Sequence, residues 1–426
     1  ARHKPRESQW LLFGTHVERL GGAVTAARNR TERDATSAAV TAHAFDSAPD
    51  VHQSLRLLAG IAASEHNPAP VAPETPLALY GAGDLGRLAR DHLAYLGIPV
   101  AAVIDRNAAD PGWAGTPVLH PDAVDARFKR DTMLAVSIAT SPFVPLQAAL
   151  RSAGWARVVP YYDLAESTRD RHPLSNGWIA DPLTADDIEA LGAVLEGWAD
   201  DRSRAHHLQF VAWRRLRQEW TFADAPVTIG DRFFTPEILS VLTGAERYVD
   251  AGAYHGLVGR RFVEECTGRF DHLTAIEPDP QSLPVLRDTL AALPAEQMAK
   301  VAILDALLDD RPQPRLFHSG LGYASQIAPT GETSRASTTI DALGLDPTFL
   351  KLHLEGHELP ALKGAEKTLA ANRPIVMATV YHNADGLHAT ARWMMQALTG
   401  YRFLFRLHSW CGTGAVIYAI PGERGA

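Results

Sequence analysis

Residues 248–256, Tyr-Val-Asp-Ala-Gly-Ala-Tyr-His-Gly, read as a buried strand that runs into a glycine turn, with Asp250 at its end and Gly252 and Gly256 in the turn. Glycine there lets a ligand approach the backbone closely, and an acid at a strand's carboxyl end offers acceptors to an ammonium or a hydroxyl. Outward from this point strand and helix alternate. RYVDAG, HLTAIE, KVAILD, TFLKLH and PIVMATV are the candidate strands, with helices near 281–293 and 358–371. Two strand-like runs then follow, YRFLFRLHS (401–409) and GAVIYAI (414–420), joined by Trp410-Cys411-Gly412-Thr413. Five alternating β/α units closed by an antiparallel hairpin predict an open α/β sheet with a hairpin edge.

The next strand ends also carry acids. Ala275-Ile276-Glu277-Pro278-Asp279 puts Glu277 21 residues past Gly256, the spacing at which doubly wound folds hold a ribose diol. Ile303-Leu304-Asp305-Ala306 ends the third strand, where an adenine edge would lie. Singly, each acid is equally well read as a cap for the following helix. The ordered set points to a nucleoside-bearing ligand.

Upstream the chain divides by composition. Residues 1–75 read as helical and loose, with Leu57, Leu58 and Ile61 on one apolar face, and HNPAPVAPETP (66–76) has four prolines in eleven residues and reads as a linker. Residues 76–166 then give LALY, the turn GAGDLG, a helix to about Tyr95, PVAAVID, MLAVSIAT and ARVVPYYDL, a small doubly wound domain. Gly81, Gly83 and Gly86 match GxGxxG, and Asp105 ends the next strand 19 residues after Gly86, so a second nucleotide or nucleotide-sugar site is one reading and a ligand-free docking domain the other. Residues 167–245 read as a helical connector, broken near Asp200–Asp201, with Thr184 and Asp187 as its first cap. The fourth segment is 246–426.

Composition bounds the function. The 426 residues carry 41 basic and 49 acidic side chains, a net −8, which argues against a phosphate-binding surface and so against nucleic acid. Cys266 and Cys411 are too few for a disulfide framework, and the sequence has no CxxC pair. No run approaches a membrane span, and no secretory apolar stretch follows ARHKPRESQW, so the expectation is a cytoplasmic protein without a membrane partner. The edge hairpin and connector offer surfaces for a homo-oligomer.

The segments VDAGAYHG, AIEPDP, STTIDAL, FLKLHLEGHELPALKGA, VYHNADGL and RLHSWCGTGAVIYAIP together resemble the FkbM family of S-adenosylmethionine-dependent methyltransferases. LTADDIEAL, WADDRSR, WRRL and FFTPEIL resemble the connector of bacterial members that carry an N-terminal nucleotide-fold domain. The resemblance covers roughly 180–421, and 76–166 more loosely. It implies a class I methyltransferase fold of seven strands, the last antiparallel, beside a smaller Rossmann-like domain. It also implies S-adenosylmethionine as cofactor and methyl transfer to a hydroxyl of a sugar, glycolipid or polyketide-type small molecule. Carried over by motif, Asp250, Gly252 and Tyr254 line the methionine half of the cofactor. Glu277 holds the ribose, Pro278 and Asp279 lie beside the adenosine, and Asp305 and Ala306 face the adenine.

His353, Glu355 and His357 follow the fourth strand, and His382 follows the fifth. Ligand crevices of such sheets lie at these ends. The family has Asp where this chain has His353, and a histidine near its normal pKa takes a hydroxyl proton directly. The expected catalytic set is therefore His353 as base, with Glu355, His357 and His382. Adding His408 gives enough nitrogens and oxygens for a metal, but no spacing matches a ligand signature, and no metal is expected. Two rival readings are a nucleotide-dependent oxidoreductase built on the GxGxxG turn and a non-catalytic binding protein on the same fold.

Overall fold

The computed structural model describes residues 40–107, 113, 115–172, 174 and 177–424. Residues 1–39, half of the N-terminal segment expected to be helical, lie outside the described residues. The rest of that segment is only partly helical. Thr41–Phe45 form strand β1, and Val51–Ala62 form a helix whose Leu58 and Ile61 are buried. The proline-rich stretch carries neither helix nor strand up to Pro76.

The first sheet comprises β2 (Leu77–Tyr80), β3 (Val100–Ile104), β4 (Val118–Leu119), β5 (Met133–Val136) and β6 (Arg157–Pro160). It is parallel throughout, in the order β4-β3-β2-β5-β6. β2 and β5 are apolar on both faces because both faces are covered.

Two helices follow, Ala185–Gly197 and Asp201–Leu216. The first opens with a reciprocal Thr184–Asp187 capping box, the second with Asp200 accepting from Ser203 N. The second is buried almost all round, unlike a surface connector. It leads into β7 (Gln218–Phe222), which pairs in parallel with β1, so the connector is not purely helical. Glu219 on β7 accepts from Phe143 N at 2.5 Å, capping the helix Phe143–Ser152 that follows β5.

The large sheet begins with β8 (Arg247–Ala251), β9 (His272–Ile276) and β10 (Val301–Leu304). A small four-stranded sheet then intervenes, made of β11 (Leu307–Leu308), β12 (Pro314–His318), β13 (Gln326–Ile327) and β14 (Thr333–Thr338). β15 (Phe349–Leu352), β16 (Ile375–Thr379), β17 (Tyr401–Leu407) and β18 (Ala415–Pro421) complete the seven strands. Their order is β10-β9-β8-β15-β16-β18-β17, with β18 antiparallel to both neighbours. The hairpin therefore does not simply extend the edge: its second strand inserts beside β16. Alternation along the strands sends Val249, Leu350, Val376 and Ile417 to the face covered by the 185–197 and 201–216 helices. Tyr248, Phe349, Met377 and Tyr418 go to the other face, under Phe262, Leu286 and Leu290.

Candidate active site

Strand order turns back at β8, whose neighbours are β9 and β15, and it is at the carboxyl ends beside such a reversal that open α/β sheets hold their ligands. The turn after β8 leaves ordinary backbone space: Gly252 (φ +74°), Tyr254 (φ +49°) and Gly256 (φ +79°) are left-handed. A Cβ on Gly252 would meet the His353 carbonyl oxygen at 1.9 Å, so the ends of β8 and β15 touch through a glycine. Gly252→Ala should cost at least about 1–2 kcal/mol from backbone conformation alone. The urea midpoint checks this; an unshifted midpoint would mean that the turn rearranges freely.

Glu277 is buried at the end of β9, and its carboxylate accepts from Tyr254 N at 2.6 Å and Asp279 N at 2.8 Å. Burial pushes it above the usual carboxylate range, against those two hydrogen bonds. A carboxylate has about four acceptor positions, so capacity for two more donors remains. Asp279 differs. It accepts from the hydroxyls of Ser282 (2.9 Å) and Ser325 (3.1 Å) and from the N–H groups of Gln281 and Gly320 (3.3 Å each), so it ties loop 320–325 to the β9 turn. Asp305 pairs with Arg335, which also reaches the Pro278 carbonyl. Ala306 is half-buried against the core. The Tyr254 ring stacks on His255, with centroids 3.6 Å apart.

Asp250 does not face the crevice with a free carboxylate. It is wholly buried, and Lys351, its register partner on β15, donates to it at 2.8 Å and to the Gly252 carbonyl at 2.7 Å. Through Lys351 it is tied to the turn from beneath. Lys351 was legible as an oddity, a cation inside the apolar run TFLKLHL, and such a residue is buried only when paired.

Past β15 and β16 three side chains converge. His353 Nε2 lies 3.1 Å from Glu355 Oε1, and His382 Nε2 lies 3.3 Å from the same oxygen. The two imidazoles stack with centroids 5.1 Å apart. Glu355 reaches this position from a left-handed backbone (φ +52°), a conformation that costs a non-glycine residue energy and clusters at functional sites. The Glu358 carboxylate holds the turn, accepting from Leu354 N and Gly356 N at 2.9 Å each and from the Thr379 hydroxyl at 2.6 Å. Asn383 Nδ2 donates to the Gly356 carbonyl.

Electrostatics here departs from the expectation of a histidine near its normal pKa. Burial, then the Arg232, His382 and Lys351 charges, hold His353 well below that range, so it is neutral. Burial pushes the Glu355 carboxyl up to about 7, with Glu358 acting in the same sense and His382 opposing.

His357 does not join the cluster. Its Nε2 contacts Asp309 Oδ1 at 2.8 Å, in an ion network with Arg315. His408 is likewise engaged elsewhere, between the Thr228 carbonyl and the Tyr418 hydroxyl. Unforeseen from sequence are Arg232 and Phe233, which stand beside Tyr381 at the end of β16: the Tyr381 hydroxyl sits 3.2 Å from His353 Nε2 and accepts from Arg232 Nη2 at 2.7 Å. The Phe233 ring lies 6.2 Å from that of His353.

At the GxGxxG turn, Asp105 accepts from Ala82 N and Asn107 N at 2.7 Å each, and a Cβ on Gly86 would meet the Gly81 carbonyl at 2.1 Å. Gly81 (φ +111°) abuts Ile138, while Gly83 faces open space. Two of the three glycines and the acid are thus accounted for by the turn's own packing.

A seven-stranded sheet of this order, with its antiparallel strand inserted beside the fifth, defines a class I methyltransferase fold. Residues 250–404 match the family model of the methyltransferase FkbM domain. The methyltransferase FkbM of Methylobacillus flagellatus KT has a similar fold (TM-score 0.58, 18% identity), over 86% of this chain and 98% of that one. The precorrin-6y C5,15-methyltransferase of Geobacter metallireducens GS-15 is similar over 47% of this chain and 95% of that one, with a TM-score of 0.29 and 16% identity. No curated protein matches the sequence.

Proposed function

We propose that the protein transfers the methyl group of S-adenosylmethionine to a hydroxyl oxygen of a small molecule of the sugar, glycolipid or polyketide type. The observation that carries this reading is one of placement. A buried strand-end acid with acceptor capacity to spare, Glu277, and the His353–Glu355–His382 cluster lie at the carboxyl ends of one sheet, joined through the Gly252–His353 contact. The cofactor fits these residues: Glu277 takes two ribose hydroxyls in its remaining acceptor positions, beside the turn that Gly252 packs against β15. When bound, S-adenosylmethionine supplies an electrophilic methyl on a sulfonium. The cluster orients the acceptor hydroxyl and facilitates loss of its proton as the oxygen attacks, while the carbon–sulfur electron pair stays on sulfur. Tyr381, Phe233 and Arg232 wall the same space.

A labelled methyl donor with panels of sugar, glycolipid and polyketide hydroxyls tests the activity by mass of the product. Absence of transfer across the panels, with cofactor bound, would favour a binding protein. Glu277→Ala should weaken S-adenosylmethionine at least tenfold, since hydrogen bonds to a charged acceptor contribute about 1.5–3 kcal/mol each. Calorimetry on the full chain, beside a melting curve, checks it; unchanged affinity would remove Glu277 from the ribose.

A further inference from the structure

We propose that His353 Nε2, His382 Nε2 and the Glu355 carboxylate bind one divalent first-row transition ion, with an open position for the acceptor's hydroxyl oxygen. The ion-binding part stands on the cluster alone; the acceptor's place in it rests on the methyltransferase reading.

The geometry supplies the donors. The three ligand atoms lie within 4.8 Å of one another, with both imidazole nitrogens directed at one carboxylate oxygen. Around a shared ion with bonds of about 2.0–2.1 Å such atoms would stand roughly 3.4 Å apart, so small side-chain rotations close the set. Two imidazoles and one carboxylate suit zinc, manganese, iron or cobalt; magnesium and calcium prefer all-oxygen sites. Three protein donors leave coordination positions open, as in catalytic rather than structural sites.

The surroundings support the same use. His382 Nδ1 is buried without a hydrogen-bond partner and lies 3.5 Å from Glu358 Oε1, so a small ring rotation would set a carboxylate behind the histidine, as at metal sites. Glu358 is itself locked by Leu354 N, Gly356 N and Thr379. The donors follow the ends of two neighbouring parallel strands, which are in register at Leu352 and Ala378. Opposing charge comes from Arg232 and Lys351, but Lys351 is balanced by Asp250, and Glu355 and Glu358 outweigh the single remaining cation. In methyl transfer the ion would polarise the bound hydroxyl, whose proton leaves to water; the oxygen pair forms the bond to carbon, and the carbon–sulfur pair remains on sulfur.

The test is titration of the chelator-stripped full chain with cobalt(II) and zinc(II), by calorimetry and by the visible absorption of cobalt. One equivalent is expected, lost or weakened at least a hundredfold in His382→Gln and in Glu355→Gln, and retained in His120→Ala. Far-UV circular dichroism confirms that the variants are folded. Absence of saturable one-to-one binding in the wild-type chain overturns the proposal, as does unchanged binding in both folded variants. Calorimetry with S-adenosylmethionine separates the two readings. Cofactor binding and methyl transfer by stripped protein, with no gain on adding ion, overturn the ion's place at the acceptor hydroxyl and spare the methyltransferase. Stoichiometric ion binding without cofactor binding does the reverse.

Discussion

Lys351→Met should destabilise the fold by about 3–5 kcal/mol, the range measured when one partner of a buried ion pair is removed. Lys351 and Asp250 face each other across β15 and β8, each at most 1% exposed, and the ammonium also satisfies the Gly252 carbonyl. Without it, Asp250 is left as an uncompensated carboxylate under the turn. Burial already pushes that carboxyl upward against Lys351, so protonation would limit the loss. The double variant Lys351→Met with Asp250→Leu should recover a large part of it, because a packed apolar pair replaces a buried charge pair at little cost. Urea unfolding of Lys351→Met, of Asp250→Leu and of the double variant gives the coupling. A single-variant loss below about 1 kcal/mol would show that water reaches the pair, and with it the crevice floor.

The second large effect concerns turnover. His353→Ala should lower the rate of methyl transfer by about 10²–10⁴, the contribution of a positioned group that assists proton removal, while S-adenosylmethionine affinity stays within a few-fold of the parent. The separation follows from place: His353 sits beyond β15 with Glu355, Tyr381 and His382, whereas Glu277, the acid proposed for the ribose, stands at the end of β9. A histidine that merely packs gives another pattern, with a lower melting temperature and a rate loss that follows the unfolded fraction. Normal turnover in a normally stable variant would end the assignment and move it to His382. Turnover, affinity and melting temperature on one preparation decide among these.

The described residues include no helix long and apolar enough to cross a membrane. Both cysteines are buried and free, and burial pushes each thiol upward, Cys266 to about 12, so neither is poised as a nucleophile.

What the sequence determined by itself was local or periodic. Each strand of the large sheet is a short apolar run ending in a turn residue, and the 248–256 turn, the Thr184 cap and the closing hairpin all rest on contacts between near neighbours. Strand-end acids were legible for the same reason, although their surroundings were not: Glu277 keeps acceptor capacity, Asp279 is committed to loop 320–325, and Asp250 is buried against Lys351. The small sheet β11–β14 escaped because its strands are short and largely polar, held by pairing rather than by an apolar run. β1 was read as helix because its extended state depends on β7, 177 positions further along in register. Tertiary structure alone decided the cluster. His353 and His382 are 29 positions apart, and only the parallel pairing of β15 with β16 sets their nitrogens against one carboxylate, which a left-handed Glu355 delivers. Local pattern specifies where a strand ends; which ends become neighbours depends on sheet order, and sheet order is settled by burial on both faces, a property of the whole packed chain.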